Sequence, residues 1–352
     1  MLKSPLPGKS IVMRDKENNR SRKWREMARR TTRSGRGTPA GKGAGVEWKF
    51  DTNDPKVISR TWKGIPDCWR GAAWHAFLTA SATSRGIGKP DDELVNIYNE
   101  LLERPSSDDV QIDLDVPRTI SYHIMFRRRY RGGQRLLFRV LHSLALYFPD
   151  TGYVQGMASI AATLLCYYDE ETAFVMMVRL WELRGLEKLY QQPGFDGLMA
   201  ALDEFEIGWM KGNQISKKLT SVGIGPTAYG TRWYLTLFNY SIPFAAQLRV
   251  WDVFMLLGDP DTKISGTHFN GTLDVLHATS SAILDGCKTI ILRSDFEDAM
   301  KNLTSFIPVK DEDLLMKVVR SEWRARKRRF GPIFTGRTTT TTTMPRDTCT
   351  TT

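Results

Sequence analysis

Apolar residues recur along this chain at the three-to-four-residue interval of a helix through nearly its whole length. Leu136, Leu137, Val140, Leu141, Leu144 and Phe148 form one such stripe. Others run through Phe174, Met177, Val178 and Trp181, through Leu273, Leu276 and Ile283, and through Leu314, Leu315, Val318, Val319 and Trp323. Sustained two-residue alternation bounded by hairpin turn pairs is nearly absent. No repeat of fixed period is found either. The pattern predicts an all-α protein of many medium helices joined by short Gly/Pro loops.

The chain has 352 residues, 41% of them hydrophobic, enough for a core. Charge divides it further. The net charge is +11, but the first 45 residues hold thirteen basic and three acidic side chains, and residues 320–352 hold eight against two. The span between them is left mildly acidic. A nucleic-acid binder needs a basic surface on its folded part, so that reading is weakened. Residues 1–45 carry few large apolar side chains and are expected to be largely a disordered basic arm. Its exception is the stretch Arg20 to Arg30, where Trp24, Met27 and Ala28 can share a helix face. The Thr-rich sequence from Gly336 onward is low-complexity and lacks an apolar face. The expected organisation is therefore an arm over 1–45, a folded domain over 46–332 and a disordered tail over 333–352.

Cys68, Cys166, Cys287 and Cys349 lie far apart with no CxxC pair, which points to a reducing compartment. The N-terminus lacks the apolar stretch of a secretory signal. The longest uncharged runs, Thr151 to Tyr168 and Trp233 to Leu248, fall short of the roughly 20 apolar residues of a membrane span. A soluble cytoplasmic protein is expected. Chemistry of the common kinds is missing as well. The string at 84–90, SRGIGKP, has Pro90 where a phosphate-binding loop needs a hydroxyl, and Thr83 where it needs the first glycine. HExxH, GxSxG and GxGxxG are absent, and His75, His123, His142, His268 and His277 form no local metal pattern.

Three strings remain. In GIPDCWRGAAWHAFL, from Gly64 to Leu78, Pro66 and Asp67 start a helix, and Trp69, Ala73, Trp74 and Phe77 stripe its buried face. Arg70 beside that face calls for a carboxylate partner, unless it reaches solvent. In IDLDVPRTISYHIMF, from Ile112 to Phe126, Pro117 suits a helix's first turn, with Asp115 or Val116 near the cap, which puts Arg118 at a helix entrance. In PDTGYVQGMASIAATLL, from Pro149 to Leu165, Gly152 and Gly156 flank Gln155, and small residues after it allow close backbone approach. Taken singly, these are weak: Arg118 reads as readily as a surface charge. Their spacing adds to them. Arg118 to Tyr130 and Gln134 to Tyr147 predict two helical arms of about 20 Å each, joined by a break at Arg131 to Gly133. Such a hairpin returns Gln155 to the end that holds Arg118.

Together the strings resemble the TBC domain family of Rab GTPase-activating proteins. Ile112, Asp115 and Arg118 match its IxxDxxR motif, and Tyr153, Gln155 and Gly156 match its YxQG motif. Arg70, Gly71 and Trp74 match the early RGxxW string, and Leu248, Arg249, Val250, Trp251 and Asp252 match a third block. The resemblance covers about Arg60 to Arg329. It implies a V-shaped all-α domain whose groove receives a GTP-bound Rab protein, with Arg118 and Gln155 as the catalytic fingers inserted into the partner's nucleotide site. It implies no cofactor or metal of the chain's own, since GTP and Mg2+ belong to the partner, and a role in vesicle trafficking on endomembranes. Around the fingers, Asp115 is expected either to cap the helix start or, the favoured reading, to pair with Arg70 and fix the finger loop, while Arg249 and Asp252 beside Trp251 are expected to make structural contacts.

Two other classes stay open. One is a binding module of the same fold that holds a Rab without accelerating it. The other is a membrane-surface or nucleic-acid protein driven by the basic arm, a property that could also localise an activator. The basic run Arg127 to Arg131 reads as a solvated helix end or as a surface for the GTPase or lipid.

Overall fold

A computed structural model describes residues 7–31, 47–121, 123–127, 132–259 and 272–329. Seventeen α-helices run through them, with short 3-10 and π turns between, so the all-α expectation holds. The one sheet among these residues is a two-stranded antiparallel ribbon pairing Arg29 with Lys49 and Arg30 with Trp48.

Local chemistry sets the helix ends. Asp67–Arg85 follows Pro66 and stops at Gly86, whose φ of 61° turns its N–H back onto the Ala82 and Thr83 carbonyls. Glu170–Leu183 begins where the Asp169 side chain accepts from Thr172 N at 2.9 Å, with Glu170 and Glu171 in the first turn. Phe174, Met177, Val178 and Trp181 then face inward with no exposed surface. This helix packs on Gly133–Tyr147 and Met157–Leu165, which build one side of the core. On the other side, Trp74 from Asp67–Arg85 meets Trp251 from Phe244–Leu257 with ring centroids 5.7 Å apart. The C-terminal helix Glu312–Arg329 closes over Asp274–Gly286. It buries Leu315 and Val319 but leaves Leu314 exposed, so its stripe is narrower than the sequence predicts.

Two expectations change. Within the basic arm, Pro7–Met27 is a helix, longer than the exception anticipated at Arg20 to Arg30, and Trp24 is buried to 1% exposure. Trp24 contacts Phe50 edge-on at 5.4 Å, and Trp69 Nε1 donates to Ser21 Oγ at 2.9 Å. One large indole supplies the apolar area that the surrounding composition lacks. Residues 1–6, 32–46 and 330–352, which include the Thr-rich tail, lie outside the described residues.

The second change concerns the arm expected over Arg118 to Tyr130. The α-helix there is Asp109–Asp115, followed by a 3-10 turn at Val116–Arg118, so Arg118 stands at a helix exit, not an entrance. Pro117 sits inside that 3-10 turn, where its missing N–H is tolerated. Thr119 is extended and Ile120 has a φ of 46°, a left-handed value that ends the helix. Among residues 118–121 and 123–127 none is α-helical. Only the second arm, Gly133–Tyr147, forms as expected.

Candidate functional site

Arg118 is a charged side chain held at its base and free at its tip. Its side chain is 58% exposed, yet Nη2 bonds to the carboxylate of Asp115, which is buried to 2%. The second Asp115 oxygen accepts from the Tyr153 hydroxyl at 2.7 Å. Burial, followed by that bond to Asp115, raises the Tyr153 pKa far above the usual phenol range, so the hydroxyl is a fixed donor. A second tether lies nearby, where Tyr153 N donates to Asp108 Oδ2 at 3.0 Å. The helix that leads to Arg118 and the YxQG segment are thus joined by two bonds, from Asp108 and Asp115 on one side to Tyr153 on the other.

Glycines shape the second segment. Gly152 has a φ of 61°, and a Cβ there would lie 3.0 Å from Asp108 Oδ2. Gly156 has a φ of 113°, and a Cβ would lie 2.8 Å from the Leu235 carbonyl oxygen, closer than a side chain permits. Gln155 between them is exposed and stands one position before the N-cap, Gly156, of the Met157–Leu165 helix. Beyond Arg118, Ile120 N donates to the Tyr240 hydroxyl at 3.3 Å and fixes the left-handed turn.

Tyr153→Phe removes the neutral donor from a buried carboxylate, leaving Asp115 with Arg118 and a dry methine edge. A bond of this charge-assisted kind contributes about 1.5–3 kcal/mol. Urea unfolding of the variant is expected to show a loss of that size at unchanged m-value.

Arg70 does not meet Asp115. Its Nε donates to Asp252 Oδ1 at 2.9 Å and its Nη1 pairs with Asp67, while Asp115 takes Arg118 of its own helix exit. The expected Arg70–Asp115 pair is replaced because Asp252, fully buried, offers a carboxylate on the adjacent helix Phe244–Leu257. Asp252 also accepts from Trp74 Nε1 at 3.0 Å and from Ile65 N at 3.0 Å. Burial alone would lower the Arg70 pKa, but Asp252 and Tyr167 outweigh it and raise the guanidinium above its ordinary value. Trp251 donates from Nε1 to the Leu237 carbonyl at 2.9 Å, and Arg249 binds Asp313 at 2.8 Å. Arg70, Trp74, Arg249, Trp251 and Asp252 are therefore each engaged within the chain.

Sequence reasoning missed Asp108 and Tyr240. Asp108 stands just before a helix, where an acidic residue is ordinary, and its partner Tyr153 is 45 residues away with nothing local to announce it. Of the basic run Arg127 to Arg131, residues 128–131 lie outside the described residues. A cavity of about 300 Å³ opens elsewhere, lined by Trp209, Asn213, Glu322 and Arg326 among others, and neither Arg118 nor Gln155 borders it. No helix among the described residues is long and apolar enough to cross a membrane.

The site is thus a tethered, exposed arginine and an exposed glutamine on an all-helical body. Comparison with known proteins identifies the class: the Rab-GTPase-TBC domain family model matches residues 67–280, and the chain belongs to that family. It is 47% identical over 270 residues to a TBC domain-containing protein of Schizosaccharomyces pombe, covering 76% of this chain and 61% of that protein. It is 30% identical to a Rab GTPase-activating protein of Caenorhabditis elegans, covering 75% of this chain and 26% of that one. The chain thus spans less than two thirds of these relatives' length. The crystal structure of the Ypt/Rab-GAP domain of Gyp1p shares the fold, with a TM-score of 0.65 at 14% identity over 89% of this chain and 99% of that one. The flagellar RabGAP TBC domain of Chlamydomonas does so with a TM-score of 0.59 at 24% identity, over 78% and 86%.

Proposed function

We propose that this chain is a GTPase-activating protein for a Rab-family small GTPase in its GTP-bound state. Arg118 enters the partner's nucleotide site as an arginine finger, and Gln155 enters as a glutamine finger. The observation that carries this reading is the double tether of Tyr153 to Asp108 and Asp115, which couples an exposed arginine to an exposed glutamine from two separate motifs. Hydrolysis of GTP spreads charge over the γ-phosphate and onto the leaving oxygen. A guanidinium delivered there stabilises the transition state more than the ground state. Gln155 holds the attacking water in line. The GTP and Mg2+ belong to the partner, and the chain brings no cofactor of its own. Its setting would be vesicle trafficking at the cytoplasmic face of endomembranes, with the basic N-terminal arm adding attraction to acidic lipid.

The test is phosphate release from a panel of GTP-loaded Rab proteins. Wild-type chain accelerates at least one of them, and Gln155→Ala reduces that acceleration roughly 10²-fold, the scale of a misplaced reactant. A chain that binds a Rab yet leaves its hydrolysis at the intrinsic rate is a holding module, and the proposal fails.

A further inference from the structure

Exposed apolar side chains on this protein are unevenly placed. Ile124 is 79% exposed, Val110 74% and Leu114 63%, and with Ile207 these are the four most exposed large apolar residues among those described. Three of the four lie within eight positions of Arg118.

Their arrangement is more specific than proximity in sequence. Val110 and Leu114 lie four positions apart on one face of Asp109–Asp115, and Arg118 ends the 3-10 turn that continues the helix, whose tighter winding sets it to the side of that line. The opposite face holds Ile112, Asp115 and Val116, all buried. Ile124 begins the next 3-10 turn, Ile124–Phe126, on a segment whose Phe126 is buried and locks it to the body. The helix is pinned at its start as well, where Asp109 Oδ1 bonds to the His142 ring at 2.6 Å. A rigid element therefore carries two branched aliphatic side chains and ends in the finger.

We infer that Val110, Leu114 and Ile124 form the docking surface that receives the GTPase, and that it selects a partner whose surface beside the γ-phosphate is apolar. This rests on the reading of Arg118 given above. The reason is continuity. A protein that brings its nucleotide to the tip of Arg118 meets the helix that ends there and the turn that follows it, and a charged or hydrated rim would strand three aliphatic groups against unpaired polar ones. An apolar rim instead supplies the desolvated anchors on which interfaces depend.

The contact differs from the fingers in what it does kinetically. A docking group binds ground state and transition state alike and so acts on KM, whereas a finger acts on kcat. The experiment uses the full chain with Val110→Ser, Leu114→Ser and Ile124→Ser, singly and combined, and the first GTP-loaded Rab of the panel that wild type accelerates. Each single change is expected to raise KM about fivefold to tenfold with kcat at saturation retained, the triple change by more than 10²-fold. Ile207→Ser and Phe296→Ser, at exposed apolar positions elsewhere, leave both constants unchanged. Circular dichroism melting confirms that these surface variants fold.

Wild-type KM in the triple variant, with Arg118→Ala still inactive, would overturn the docking surface and leave the activator reading intact. Self-association of the chain that the same substitutions abolish, without any change in GTP hydrolysis, would overturn it too, by naming a second copy as the occupant. Failure of wild type to accelerate any Rab would remove the activator reading and this surface with it.

Discussion

Arg118→Ala is expected to lower stimulated GTP hydrolysis by about 10³- to 10⁵-fold, to near the GTPase's intrinsic rate, in single-turnover phosphate release. The size is that of an arginine supplied in trans, about 4–7 kcal/mol at 1.36 kcal/mol per decade. The geometry favours a large effect. Only Nη2 is engaged with Asp115, so the outward part of the guanidinium remains available to phosphate oxygens. The buried carboxylate fixes where the fork points before the partner arrives, which removes part of the ordering cost of binding. Arg118→Lys separates charge from shape. An ammonium can still neutralise Asp115, but it lacks the planar fork that reaches two oxygens at once, so most of the loss should persist while the fold is unaffected. Folded Arg118→Ala protein that stimulates at the wild-type rate would remove Arg118 from the mechanism.

The helices that carry this site were legible wherever one face is apolar and the other polar. The stripe Leu136 to Phe148 became Gly133–Tyr147, and Phe174 to Trp181 became Glu170–Leu183, because burial of a single face is a local property written every three or four residues. The motifs were legible in the same way: Arg118 and Gln155 are both exposed, and Gly156 occupies a backbone position that other residues rarely adopt. What failed was direction. Pro117 is compatible with either end of a helix, and only the left-handed Ile120 and its bond to Tyr240 decide that the helix has already finished. Asp115 was matched to the wrong arginine for a related reason. Charge complementarity says that a buried carboxylate needs a cation, but Arg70 and Arg118 satisfy it equally until Asp252 claims the first of them from a helix some 180 positions further along. Trp24 was half legible: its helix face was visible, while its depth depended on Phe50, which packs on Phe77 and is brought there by the fold.

Asp252→Ala should cost more stability than any change at the site itself. Removing one partner of a buried ion pair leaves the other charge without compensation, typically about 3–5 kcal/mol. Here four bonds lose their acceptor together, those from Arg70 Nε and Nη2, from Trp74 Nε1 and from Ile65 N. Arg70 keeps Asp67, but that carboxylate is 77% exposed and screened by water. A fall in Tm of roughly 5–15 °C is expected in a thermal melt. The double variant Arg70→Met with Asp252→Leu removes both charges, and should recover part of the loss, because desolvating the pair was costly in the first place. It should not recover all of it, since Trp74 Nε1 and Ile65 N still face a leucine. Stimulated hydrolysis per folded molecule should stay at the wild-type level in both variants, because Asp252 contacts neither Asp115 nor Tyr153. A Tm unchanged by Asp252→Ala would mean that the Arg70–Asp252 pair is not what joins the first helices of the domain to Phe244–Leu257. Loss of activity ahead of any loss of fold would mean that this buried pair, and not the tether at Tyr153, holds Arg118 in place.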